Sequence, residues 1–338
     1  MKGLTDIAGI LVGHASDYDG LTGCTAILCE SGAAAGGDIR GSATGTEEWD
    51  LLHPHHVTER IHAVVLAGGS AFGLEAASGV RRYLEHKGVG FETGAARVPL
   101  VPCAILYDLN LGKSSARPTR EMGEAAASAA TDEAVLEGAV GAGTGATVGK
   151  LFGLGRAMKS GIGSWTVELS GSYAGVKVAA LAAVNAVGDI LDPATGAIVA
   201  GARIAPNSME FANSARAMKS GVQSGFSRAN TTLVVVATNA RLNKVEATKL
   251  SQLAQLGVAR AINPVNTMSD GDVTIALSVG NATAPVDALG VAAAEATVNS
   301  QSGKGFHYQF NVGKIRQQRI GMAGDNVFAT IETAGANS

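Results

Sequence analysis

The sequence predicts a layered fold of mixed α and β structure, α/β or α+β, on two observations. Short runs rich in Val, Ile and Ala, of strand length, alternate along the chain with Ala-rich segments whose apolar residues recur at three- and four-residue spacing. No tandem repeat or long low-complexity tract interrupts them. The 338 residues are 46% hydrophobic but only 4% aromatic, with 45 glycines. The core must therefore be built from Ala, Val, Leu and Ile, and small residues let elements approach closely. Length alone allows one large domain or two.

Taken in order, Thr22 to Cys29 and His62 to Ala67 read as strands. The second passes through Gly68-Gly69-Ser70 into an amphipathic helix carrying Phe72, Ala76, Val80 and Leu84. Val101 to Leu106 is strand-like, and the Ala- and Glu-rich stretch from Arg120 to Ala134 reads as helix. Val176 to Val184 is a further strand. Residues 203–229 mix Ser, Asn, Gly and Arg without periodicity and read as a linker or exposed loop. Thr232 to Val236 is a β-branched run that favours a strand. Asn243-Lys244-Val245-Glu246 has the form of a capping box, followed at helical spacing by Val245, Lys249, Leu253, Leu256 and Arg260. Val273 to Ser278 is the last clear strand, and Thr283 to Ser300 an Ala-rich helix.

Composition excludes several function classes. The net charge is −3 with no basic run, which argues against nucleic acid or an anionic membrane as partner and leaves a small molecule. The apolar stretch Val178 to Val184 falls far short of the roughly 20 residues that span a bilayer. The first residues carry no signal-peptide core, so the expected location is cytoplasmic. Cys24, Cys29 and Cys103 are odd in number and lack Cys-x-x-Cys spacing, which fits buried apolar residues better than a disulfide or zinc framework.

Two motifs suggest chemistry and then fail on their details, and a third is missing. Gly141-Ala-Gly143-Thr-Gly145-Ala146 fits G-x-G-x-x-A, with Lys150 beyond it. Yet Lys150 is followed by Leu151, so the P-loop reading fails, and the strand before the glycines is weak. A glycine turn permitting close backbone packing is the simpler account. His53-Pro54-His55-His56 lacks the fixed i, i+4 face of a helical zinc site, so no metal is expected. A Gly-x-Ser-x-Gly elbow is absent, which leaves a Ser-His-Asp hydrolase without support. No cofactor is expected.

Asn230-Thr231 and Asp270-Gly271-Asp272 remain. Cleavage of the Asn230–Thr231 bond would make Thr231 a new N-terminus carrying nucleophile and base together, because a free α-amine has a pKa of about 7.7–8.0. At the end of a strand its hydroxyl would be rigidly placed. An ordinary strand entered by two threonines is the alternative. Asp270 and Asp272 fall on one side of an extended backbone and can orient an amine or hydroxyl, or they can form a solvated turn.

Set together, these pieces resemble one family. Asn230-Thr231, Asp270-Gly-Asp272, Lys150 in Gly-Ala-Thr-Val-Gly-Lys, Tyr107 in Leu-Tyr-Asp-Leu and Asn185 in Val-Asn-Ala-Val-Gly-Asp occur in its order. Val12-Gly13-His14, Gly20-Leu-Thr-Gly23-Cys-Thr25, Gly68-Gly-Ser-Ala-Phe-Gly-Leu74 and Val98-Pro-Leu-Val-Pro102 extend the likeness over most of residues 10–300. The family is that of the self-cleaving aminopeptidases, which includes the L-aminopeptidase/D-amidase-esterase, the β-peptidyl aminopeptidases and the nylon-oligomer hydrolases.

The resemblance implies a single α+β domain folded as a four-layer αββα sandwich, shared with ornithine acetyltransferase. It implies a chain cut into residues 1–230 and 231–338 that stay associated, in a homo-oligomer such as a tetramer of processed heterodimers. It further implies a hydrolase of peptide, peptide-like amide or ester bonds, most simply an aminopeptidase. Thr231 is the expected nucleophile. Asn185 and Tyr107 match oxyanion-stabilising positions, Lys150 adds charge near Thr231, and Asp270 and Asp272 hold the nucleophile and its amine. Better-known members carry a serine nucleophile and Ser-Gly-Glu; Thr231 and Asp270-Gly-Asp272 match the threonine branch. An ornithine-type acyltransferase and a nucleotide-binding scaffold are the competing functions.

Overall fold

The computed structural model describes residues 1–223 and 230–302, with the main chain of 315–323 and 326–333. Its organising element is an 18-residue strand, β2 (Thr22–Ile39), much longer than the run read from sequence. The first part of β2 pairs with β1 (Leu11–Asp17) and β3 (Ile61–Ala67), and β3 pairs in parallel with β4 (Cys103–Ile105). From Ala34 to Ile39 it joins a second sheet. Gly32, at φ +83°, lies between the two halves and supplies a backbone conformation that L side chains rarely adopt.

The second sheet runs from β5 (Ile162–Glu168) through β6 (Lys177–Asn185), β7 (Thr231–Ala240) and β8 (Val273–Ala282) to β2. Alternation along β7 shows why two layers of core form. Leu233 and Val235 meet Ile27, Leu66, Leu181 and Ile275 between the sheets. Val234 and Val236 face the other way, onto Leu250, Ala254, Val258 and Leu289. Those residues belong to α3 (Lys244–Ala261) and α4 (Val286–Ser302). On the far side α1 (Glu75–His86) and α2 (Arg120–Ser128) bury Ala76, Val80, Leu84 and Ala126 against β2 and β3. The result is the expected α+β sandwich of four layers, αββα.

Several local expectations need correction. The predicted helix from Arg120 ends at Ser128, because Thr131 exchanges both main-chain hydrogen bonds with Val12 and so must be extended. Phe72 lies in a 3₁₀ turn before α1 and is exposed under the Arg117 guanidinium. The capping box of Asn243 and Glu246 is formed. Val245 and Leu256, however, face solvent, and the buried side is Ala247, Leu250, Ala254, Gly257, Val258 and Ala261. The presumed loop 203–229 holds a helix, Ser214–Lys219, and a fully buried Arg203 that donates to the carbonyls of Gly155 and Ala157. Residues 224–229 of that stretch lie outside the described residues.

Strand direction brings the candidate site residues to one end. β7 and β8 are parallel, joined through α3, so both begin on the same side. β6 runs antiparallel to β7, and its last residue, Asn185, stands opposite Thr231. The end of β2 arrives there too, where the Arg40 N–H donates to the Asp272 carbonyl at 3.0 Å.

Candidate active site

Thr231 is the first residue of β7 and is buried, 3% exposed. Its hydroxyl donates to the carbonyl oxygen of Asn230, with Oγ1 2.5 Å from that oxygen. The Gly271 N–H donates to the same oxygen at 2.8 Å. One peptide carbonyl is thus polarised by a main-chain donor while a hydroxyl lies against it. Asn230 also forms a parallel bridge with Asp270, so the residue before Thr231 is held as a strand partner of the Asp270-Gly-Asp272 segment.

Asp272 fixes this geometry from below. Its Oδ1 accepts the Thr232 N–H at 2.6 Å and its Oδ2 the Asn266 N–H at 2.9 Å. Asp270 closes its own loop, with Oδ2 accepting from Thr267 N–H at 2.9 Å and Thr267 Oγ1 at 2.7 Å. Both carboxyls are 1% exposed. Burial pushes Asp272 up to about 7, reinforced by the neighbouring Asp270 charge, and burial raises Asp270 likewise. Gly271 between them is required by space: a Cβ there would sit 2.8 Å from the Ala43 carbonyl and 2.9 Å from Thr231 Oγ1.

Asn185 links the opposite strand to the cation. Its Oδ1 accepts from Lys150 Nζ at 2.7 Å and from the Thr147 N–H at 3.0 Å. Its own carbonyl accepts Lys150 Nζ at 2.7 Å, and Nδ2 donates to the Tyr107 carbonyl at 3.0 Å. Lys150 is buried, and loss of solvation lowers its ammonium to about 7 although Asp270, Asp108 and Asp272 favour the charge. Gly149 aims the side chain: it adopts φ +71°, and a Cβ there would come within 2.1 Å of Ala202 N. This is the purpose of the Gly-Lys pair that superficially suggested a phosphate loop.

The six residues singled out from sequence lie together, but neither residue expected to stabilise an oxyanion offers a side-chain donor for it: Asn185 spends its Nδ2 on the Tyr107 carbonyl. Tyr107 enters through its main-chain carbonyl, which orients Asn185, and not through its phenol. Sequence reasoning missed the Gly271 N–H because it is a main-chain donor with no side-chain signature. It also missed Asp108, which caps the Gly68-Gly69 turn by accepting the Gly69 N–H at 2.7 Å and Thr22 Oγ1 at 2.8 Å. The glycine cluster is packing: a Cβ on Gly143 would meet Ile162 N at 2.5 Å, and the carbonyls of Gly143 and Ala146 accept from buried Lys159. No group of three or more metal-ligating side chains occurs among the described residues.

This geometry can be set beside known proteins. The model of peptidase family S58 matches residues 2–334. The chain belongs to peptidase family S58. This S58 chain is 39% identical over 310 residues to an uncharacterized aminopeptidase of Mycobacterium leprae, covering 85% of the chain and 82% of that protein. It is 30% identical over 287 residues to a 6-aminohexanoate-oligomer endohydrolase of a Kocuria species, covering 81% and 74%. Among solved structures, the L-aminopeptidase D-Ala-esterase/amidase of Ochrobactrum anthropi superposes with a TM-score of 0.68 at 18% identity, covering 89% of this chain and 85% of that one. A Burkholderia β-aminopeptidase superposes at 0.63 and 22%, with the same coverage. The S58 protein is thus a hydrolase on an aminopeptidase fold, which removes the nucleotide-binding scaffold as its function. Among the described residues no helix is long and apolar enough to cross a membrane.

Proposed function

We propose that the chain is a self-processing N-terminal-threonine hydrolase of peptide or peptide-like amides. The observation that carries this reading is the buried Asn230 carbonyl, which meets the Thr231 hydroxyl at 2.5 Å and the Gly271 N–H at 2.8 Å. In the uncut chain Thr231 Oγ attacks that carbonyl carbon, and the Gly271 N–H stabilises the oxyanion; one such donor is worth about 10²–10³ in rate. Collapse breaks the C–N bond, moves the proton to the leaving nitrogen and leaves an Asn230 ester on Thr231. Water hydrolyses the ester, giving fragments 1–230 and 231–338.

The freed Thr231 amine then serves as general base for its own hydroxyl. A substrate amide places its carbonyl on the Gly271 N–H, acylates Thr231, and water releases the acid. Asp272, through Thr232, and Asn185, opposite Thr231 in the sheet, keep the nucleophile in register. Lys150 contributes positive charge through Asn185. The family's aminopeptidases and the 6-aminohexanoate-oligomer endohydrolase support amide substrates and water as acceptor.

Thr231→Ala tests the reading. The variant is expected to stay one chain of 338 residues and to hydrolyse no aminoacyl anilide. Cleavage at the same bond, or full activity, in that variant would remove Thr231 from the chemistry.

A further inference from the structure

On the proposed reading, Asn230 is the acyl residue of the self-cleavage, and its contacts are those of a bound acyl group. Asn230 pairs in parallel with Asp270, its carbonyl sits on the Gly271 N–H, and its side chain is buried at 1% exposure. Nδ2 donates to the Ser269 carbonyl at 3.3 Å, whereas Oδ1 is buried with no hydrogen-bond partner. The surroundings of this side chain thus offer it an acceptor and no donor. The side chains of Asp270 and Asp272 lie on the same segment, each already accepting main-chain N–H groups, and add no donor.

After cleavage, a substrate must bring its carbonyl to the Gly271 N–H for Thr231 to attack it. The new carboxyl terminus at Asn230 must withdraw from that N–H for this to happen, and the acyl side chain then takes the space that Asn230 held. We propose that this space is the acyl-specificity pocket of the mature enzyme, with the Ser269 carbonyl as its recognition atom. It selects acyl residues that carry a hydrogen-bond donor on the γ atom of the side chain. L-asparaginyl amides meet the condition. A 2,4-diaminobutyryl group meets it better, since its amine reaches as far as Nδ2, brings only donors and removes the unpartnered oxygen. L-leucyl leaves the Ser269 carbonyl unpaired. L-aspartyl, nearly identical in shape to asparaginyl, turns an acceptor toward an acceptor and buries an anion with no donor to pair it.

The inference rests on Thr231 as nucleophile, and its test separates the two. Wild-type protein whose mass shows the cut at Asn230–Thr231 is assayed with the p-nitroanilides of 2,4-diaminobutyrate, asparagine, leucine and aspartate. Sites built to pair a polar group discriminate strongly against analogues that cannot, so kcat/KM is expected to fall in that order, with asparaginyl above aspartyl by more than about tenfold. A ratio of tenfold or less, leucyl as the best of the four, or no hydrolysis of the asparaginyl substrate overturns the pocket assignment. If leucyl anilide is cleaved best and Thr231→Ala abolishes that activity, the nucleophile stands and only the pocket falls. Protein that stays uncut takes both down.

Discussion

Lys150 is expected to cost the fold stability while serving the reaction, and pH exposes the trade. Burial lowers its ammonium from 10.5 to about 7. Between these values the unfolded chain carries a proton that the folded chain does not. Stability therefore rises with pH at about 1.4 kcal/mol per pH unit, and the penalty is full below about pH 7 and gone above pH 10.5. Replacement by the apolar, similarly long Met removes this slope. Both chains compared should carry Thr231→Ala, so that neither is cut. Denaturant unfolding at pH 8 and pH 10 should show the advantage of the Lys150→Met chain shrinking by about 3 kcal/mol across the two pH units. Titrating groups that do not interact with Lys150 are common to both chains and cancel in the difference, and the carboxyls that do, Asp270 foremost, have their ordinary range below this pH window. In the Thr231 background the same substitution removes both Nζ bonds to Asn185, and processing should slow by about 10² or more. Parallel stabilities at the two pH values, or normal processing in the variant, would refute the reasoning.

Other substitutions test single contacts. Gly271→Ala must push its Cβ away from the Ala43 carbonyl and Thr231 Oγ1, 2.8 and 2.9 Å away. It should slow self-cleavage by about 10²-fold, followed as loss of the intact band over time. Asp272→Asn replaces one acceptor by a donor, leaving the N–H of Thr232 or Asn266 buried and unpaired. Unfolding should reveal a loss of about 1–3 kcal/mol together with slower processing. The self-cleavage rate of wild type should change near neutral pH, where Lys150 and Asp272 both titrate at about 7; a flat rate from pH 5 to 9 would separate these groups from the reaction.

The candidate residues that meet through their side chains were nameable from the sequence. Thr231, Asp270 and Asp272 could be picked out by residue type beside bland alternatives, whereas Asn185 and Lys150 were named only because their motifs resemble those of a family in the same order. The Tyr107 carbonyl and the Gly271 N–H act through the main chain, so residue type alone pointed to the wrong atom in one case and to nothing in the other. The fold was readable where β-branched runs mark strands and where Asn243 and Glu246 cap α3. It was misread where the core is made of small residues. The buried side of α3 includes Ala247, Ser251, Ala254 and Gly257, while the larger Val245 and Leu256 are exposed, so following the bulky residues selects the solvent side. Arg203 and the helix at Ser214 escaped notice for a related reason: a buried arginine held by carbonyls has no sequence periodicity.

The central claim is that the chain cuts itself before Thr231, and an intact-mass spectrum of the purified wild-type protein tests it most directly. The account predicts two species, residues 1–230 and 231–338, with the smaller beginning Thr-Thr-Leu-Val. A single species of 338 residues with full amidase activity, or a cut at any other bond, would contradict it.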